Sequence, residues 1–226
     1  MALLADRISK QYDDEPVLQD VSLEVVEGES LAVTGPSGSG KSTLLSILGL
    51  LLLPTQGDVV FQGQRTAALS DDARSRLRNC SFGFIFQSPQ LIGSLSVLDN
   101  VLVPARLARR RNQEAKARQT LADIGLQHRL TYFPHQLSIG QKRRVAIARA
   151  LLLDPVVIFA DEPTNDLDPE RAAWVGDFLF SLPQQGRALV MATHDTRLAA
   201  RADRVIRISE RGVAEAVGAE LSAGPI

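Results

Sequence analysis

Nine consecutive residues limit the folds open to this chain more than any other stretch: Gly35-Pro36-Ser37-Gly38-Ser39-Gly40-Lys41-Ser42-Thr43. They satisfy G-x-x-x-x-G-K-[ST] at each fixed position. Glycines there let the backbone curl so that successive N–H groups converge on phosphate oxygens. A helix starting behind the curl turns the positive end of its dipole on the same anion. Lys41 can reach the β- and γ-phosphates, and the Ser42 hydroxyl can ligate Mg²⁺. The motif needs a strand before it, and Leu31-Ala32-Val33-Thr34 supplies a short apolar run of that kind.

Two similar runs follow, Val156 to Ala160 and Leu189 to Thr193. They are continuous rather than alternating, which suits strands buried on both faces of a parallel sheet. Ligands of open α/β sheets sit at the carboxyl ends of such strands. Val21-Ser22-Leu23-Glu24-Val25 does alternate, and Val59-Val60-Phe61 precedes a Gln62-Gly63 turn, so a small antiparallel layer is expected there. From about Val97 to Leu153 the pattern is helical, with one exposed amphipathic helix expected over Arg106 to Gly125. The expected architecture is a single α/β domain over 1–226. Its P-loop NTPase core and β layer occupy 1–87 and 152–226, with a mainly helical insertion over 88–151.

The second buried run ends in Asp161-Glu162-Pro163. An acid at that position beside a P-loop can hold Mg²⁺ through water, which is the role expected of Asp161. Glu162 points differently and can polarise an attacking water. Phe84 to Gln87 is expected to be another strand, ending in Gln87. Leu137-Ser138-Ile139-Gly140-Gln141 opens a long helix, with Ser138 and Gln141 spaced as a capping box. Its start is a second anion site about 100 residues from the first. Either the two bind separate phosphates, or they meet one phosphate from opposite sides of a dimer.

Kinases, GTPases, ATPase motors and transporter ATPases all carry a P-loop, and composition narrows this little. Lys plus Arg number 25 against 26 Asp plus Glu, so nothing global favours coating nucleic acid, and no nucleic-acid partner is expected. The longest apolar run, Leu44 to Leu53, is half of the about 20 residues that a spanning helix needs. No secretory leader is evident, and the single Cys80 has no disulfide partner. A cytosolic chain is expected.

Taken together, these segments resemble the ATP-binding subunit of ABC transporters, in register over almost the whole chain. Residues 35–43 match Walker A, Gln87 the Q-loop, and Leu137 to Gln141 the signature. Val156 to Glu162 matches Walker B, Asn165-Asp166-Leu167-Asp168 the D-loop, and His194 the switch histidine. Tyr12 sits where the family stacks an aromatic on adenine. The resemblance implies ATP hydrolysis with Mg²⁺ held by Ser42, Gln87 and Asp161. It implies that Glu162 polarises water and His194 meets the γ-phosphate. It also implies a head-to-tail dimer, in which Ser138, Gly140, Gln141, Asp166 and Asp168 of one subunit face the other's nucleotide. A separate membrane permease is implied as partner, which places the chain peripherally at the cytoplasmic face of the membrane.

Ala68 to Asp71, Arg76 to Arg78, Phe82 to Gln87, and Leu98 to Val101 with Pro104 narrow the resemblance to the macrolide-exporter and lipoprotein-release branch. The closely related cell-division signalling ATPase is the alternative. DNA-repair and ribosome-associated ATPases fit less well, since no long heptads, zinc-type Cys pairs or second Walker A are present. Ile139 departs from the family's usual Gly, and altered closure rather than a dead site is expected. Leu50 to Leu53 is expected to pack on the adjacent strand, and Arg109-Arg110-Arg111 to be a solvated face.

Overall fold

The computed structural model describes residues 2–13, 15–209 and 212–215. In chain order the first elements are β1 (Leu3–Tyr12), β2 (Glu15–Val25), β3 (Ser30–Thr34), α1 (Lys41–Leu48), β4 (Gln56–Phe61) and β5 (Gln64–Arg65). Next come α2 (Asp71–Ser81), β6 (Phe82–Ile85), α3 (Val97–Leu107), α4 (Glu114–Asp123) and α5 (Ile139–Leu151). The last are β7 (Val157–Asp161), α6 (Pro169–Ser181), β8 (Ala188–Ala192), α7 (Thr196–Ala199), β9 (Arg204–Ser209) and β10 (Gly212–Glu215).

The strands form two sheets. One is antiparallel, in the order β2-β1-β4-β5. Its β2 buries Val21, Leu23 and Val25 while exposing Ser22 and Glu24, the alternation of a sheet with one solvated face. Gln62 and Gly63 join β4 to β5 with φ of 47° and 82°, the paired positive values of a two-residue hairpin turn.

The other sheet runs β10-β9-β3-β8-β7-β6, parallel except at β10. Its strands are buried on both sides, which explains why their sequences do not alternate. Leu31, Val33, Val157, Phe159 and Val190 face α1 and the antiparallel sheet. Ala32, Ile158, Ala160, Leu189 and Met191 face Val175 and Leu179 of α6 and Ile147 of α5. A third apolar cluster gathers Val101 and Ala105 of α3, Ala117 and Leu121 of α4, and Val145 and Ala148 of α5.

Register fixes what meets at the strand ends. Val33 of β3 and Asp161 of β7 both pair with Ala192 of β8. The Glu162 N–H donates to the Ala192 carbonyl at 2.9 Å, and the Thr193 N–H donates to the Val33 carbonyl at 3.1 Å. Gly35, Glu162 and His194 therefore emerge within two residues of one line across the sheet.

Three expectations need correction. The strand near Gln87 is Phe82–Ile85, so Phe86 and Gln87 lie beyond its end. The single helix expected over Arg106 to Gly125 is two helices, α3 and α4. Arg109 and Asn112 take φ of 53° and 59° between them, and Asn tolerates that left-handed conformation. The four leucines also divide. Leu50 is buried and Leu52 packs partly on the core, but Leu51 and Leu53 are about half exposed.

Candidate active site

The turn after β3 has the shape that its glycines predict. Gly35 takes φ of 149°, and a Cβ there would lie 2.5 Å from the Ile208 carbonyl oxygen and 2.7 Å from Ser39 Oγ. Only glycine fits. Gly40, at φ 94°, precedes α1 without a side-chain cap, so the first N–H groups of that helix stay available to a ligand. Lys41 is buried, and its ammonium donates to the carbonyls of Gly35 (2.9 Å) and Pro36 (2.8 Å). The lysine is thus held across the mouth of the curl rather than extended into solvent.

Asp161 ends β7 beside this curl. Burial pushes its carboxyl above the ordinary value of 3.8, with the Ser42 hydroxyl and then the Lys41 charge pulling it back. Its Oδ1 is buried without a hydrogen-bond partner. A hidden carboxylate oxygen beside a serine hydroxyl and a phosphate cradle is a donor set of the hard-oxygen type that Mg²⁺ prefers. Glu162 follows at φ 44°, a conformation uncommon outside glycine. That twist turns its carboxylate from the sheet toward His194, whose Nδ1 lies 2.9 Å from Glu162 Oε1. The His194 side chain is 65% exposed and that of Glu162 14%, so the acid is sheltered behind the ring.

Lys41, Ser42, Glu162 and His194 line one open cleft of about 500 Å³, whereas Gly35, Pro36, Ser39 and Asp161 are not among its lining residues. Its walls hold Tyr12, Ser37, Gly38, Gly40, Lys41, Ser42, Thr43, Gln87, Glu162 and His194. Tyr12 stands at the rim, about half exposed, with the Lys10 ammonium 5.0 Å from its ring centre. Two cleft residues were absent from the expected site, Val17 and Asn165. Val17 lies near the start of β2 and packs under Gly40; an apolar residue in a strand carries no sequence signal for such a role. Asn165 lies within the D-loop match, so proximity to Asp166 could have found it.

Ser138, Gly140, Gln141, Asp166 and Asp168 do not line this cleft. The capping box at α5 does form: the Gln141 N–H donates to Ser138 Oγ at 3.3 Å, and the Ser138 N–H donates to Gln141 Oε1 at 3.0 Å. Ser138 and Ile139 are exposed, Ile139 at 58%. Gly140 is buried against Arg171; a Cβ there would sit 2.9 Å from Arg171 Cδ. Asp166 is exposed at φ 61°, and Asp168 caps α6 by accepting the Arg171 N–H at 3.0 Å. One chain therefore presents a glycine-rich curl with Lys41 and Glu162 in a cleft, and a capped helix start outside it. His128 and His135 belong to neither; both lie in short 3₁₀ turns.

Known proteins resemble this chain in sequence and in fold. The ABC transporter family model matches residues 18–165. The lipoprotein-releasing system ATP-binding protein LolD of Bordetella avium is 45% identical over 92% of this chain and 94% of its own length. An uncharacterized ABC transporter ATP-binding protein of Methanocaldococcus jannaschii is 42% identical over 88% of this chain and 90% of its own. Among solved structures, the dimeric post-hydrolysis state of the ATP-binding cassette MJ0796 with ADP and Pi superposes with a TM-score of 0.85. It is 33% identical and covers 96% of this chain and 98% of that one.

Proposed function

The chain belongs to the ABC transporter family, and we propose that it is the ATP-hydrolysing subunit that drives a separate membrane permease in lipoprotein release. It binds ATP and works as a homodimer with that permease. One observation carries the mechanistic reading. Lys41, Ser42, Gln87, Glu162 and His194 share a cleft, while the capped start of α5 lies outside it.

In this mechanism the N–H groups of residues 35–43 cradle the phosphates, and Lys41 leaves its two carbonyls for the β- and γ-phosphates. Tyr12 stacks on adenine. Ser42, Gln87 and Asp161 would hold Mg²⁺; the orphaned Oδ1 of Asp161 supports its place in that set. A divalent cation held there would supply positive charge against that developing on the transferred phosphoryl group. Glu162 orients a water in line with the γ-phosphorus and takes its proton. His194, now bonded to Glu162, turns to the γ-phosphate and holds the acid in place. The open side of the cleft is closed by Ser138, Gly140 and Gln141 of the second subunit, with Asp166 and Asp168 at the junction. Residues 88–151 form the mainly helical part, and 1–87 with 152–226 the α/β core and β layer.

The permease supplies the membrane span; among the described residues no helix is long and apolar enough to cross a membrane. We place the chain peripherally on the cytoplasmic face. Replacing Glu162 by Gln is expected to lower turnover by roughly 10²–10⁴, the usual share of a general base, while ATP still binds. Near-normal turnover would remove Glu162 from the role. For the partner, pull-down from solubilised membranes is expected to recover a permease. Recovery of ribosomes or DNA instead would contradict the transport reading.

A further inference from the structure

Arg143 is the largest fully buried side chain, 1% exposed, in a helix whose neighbouring charges reach solvent. No carboxylate forms an ion pair with it among the described residues. A cation hidden in this way is costly unless its donors are used. Its guanidinium uses both Nη groups on two distant pieces of main chain, while its Nε is buried without a partner. One Nη donates to the Phe86 carbonyl at 2.7 Å, and the other to the Asn165 carbonyl at 3.3 Å. Burial draws its pKa down, and the nearby Asp166 charge partly restores it.

The two carbonyls adjoin functional residues. Phe86 precedes Gln87, and Asn165 precedes Asp166; Gln87 and Asn165 both line the nucleotide cleft. Arg143 itself lies one helical turn beyond Gly140, on the helix whose start is the second anion site. A second arginine of α5, Arg149, donates to the Pro89 and Gln90 carbonyls at 3.0 and 2.7 Å, so it holds the first segment but not the second.

We propose that Arg143 is a positioning residue that ties the Gln87 and Asn165-Asp166 segments to the start of α5. Occupancy of a chain's own cleft is thereby felt at the surface it offers to its partner's nucleotide. The planar fork of arginine suits this task, because its donors reach two acceptors at once; a lysine ammonium is a point charge on a flexible stem and serves the two carbonyls poorly. Coupling between the two clefts rests on the dimer reading above, whereas the tie itself lies within one chain.

The test compares wild type, Arg143→Lys, Arg143→Met and Arg149→Lys. Hydrogen exchange on the nucleotide-free proteins reads the tie directly. Arg143→Lys is expected to speed exchange at 86–90 and at 165–167 together, with α6 and β8 unchanged, and Arg149→Lys to affect 86–90 alone. In steady-state kinetics Arg143→Lys is expected to lower kcat by about 10- to 100-fold, as for other remote misplacements. Affinity for a fluorescent ATP analogue should stay within a few-fold, and the ATP dependence should lose sigmoidal character. Arg143→Met, if it folds, should be more severe than Arg143→Lys. Unchanged exchange at both segments in Arg143→Lys overturns the tie, as does a rise spread evenly over the domain. A wild type that hydrolyses ATP as a monomer contradicts the dimer reading instead, and the exchange result still decides the tie.

Discussion

Asp161 and Lys41, which the proposed mechanism places at the nucleotide, are held differently in the free chain. Burial raises the Asp161 pKa, so the folded state holds that proton more tightly than the unfolded chain does. The resulting penalty is absent below the ordinary carboxyl value of 3.8 and grows as pH rises through the raised one. Asp161→Asn is therefore expected to raise the nucleotide-free melting temperature at neutral pH, and to leave it unchanged near pH 3. The same variant should lose the extra stabilisation that Mg·ATP gives over ATP alone. Scanning calorimetry at both pH values checks the sign; a neutral-pH destabilisation would mean that the carboxylate is already compensated. Lys41 gives the opposite pattern. Its ammonium bonds two carbonyls of its own loop, so Lys41→Ala should loosen the curl and weaken ATP binding itself, read by titration calorimetry. Residues such as these were legible because a phosphate site demands their types at fixed spacing. Val17 and Arg143 were not. One acts through apolar packing and the other through main-chain carbonyls, and neither contact is encoded by spacing.

At the scale of the element, α5 has two duties that substitution can separate. Ser138 caps the helix, and losing a cap of this kind costs about 1 kcal/mol. In the proposed mechanism its hydroxyl also meets the partner's nucleotide. Ser138→Asn should keep most of the cap, since Asn is also a strong N-cap residue, yet still lower turnover. Comparing melting temperature with kcat tells the duties apart; full activity in a capped Asn variant would confine Ser138 to the helix. Ile139 sits beside it, exposed, where no cleft of its own chain contacts it. An active wild-type homodimer is expected despite it. Strand positions at this scale were readable because double burial leaves continuous apolar runs. The break between α3 and α4 leaves only a gap in the apolar spacing at 109–113, with no Gly or Pro to mark it. Only the left-handed turn at Arg109 and Asn112 ends the first helix.

The whole molecule makes sense only as part of something larger. Its parallel sheet brings residues 35–43, Asp161, Glu162 and His194 to the carboxyl ends of its strands, and the cleft there is open. The donors that would complete it stand on another surface of the same chain. Sequence alone exposed this mismatch as two anion sites far apart, and left open whether they served two phosphates or one. The fold favours one phosphate shared between two copies, because the start of α5 does not enter its own cleft. ATP should therefore bring two copies together, and sedimentation of the slowly hydrolysing Glu162→Gln protein measures this. With Mg·ATP this variant should sediment at twice its nucleotide-free mass. Adding Ser138→Arg should return it to the monomer while ATP still occupies the cleft. A protein that stays monomeric with ATP bound, or a dimer indifferent to Ser138→Arg, would contradict the account.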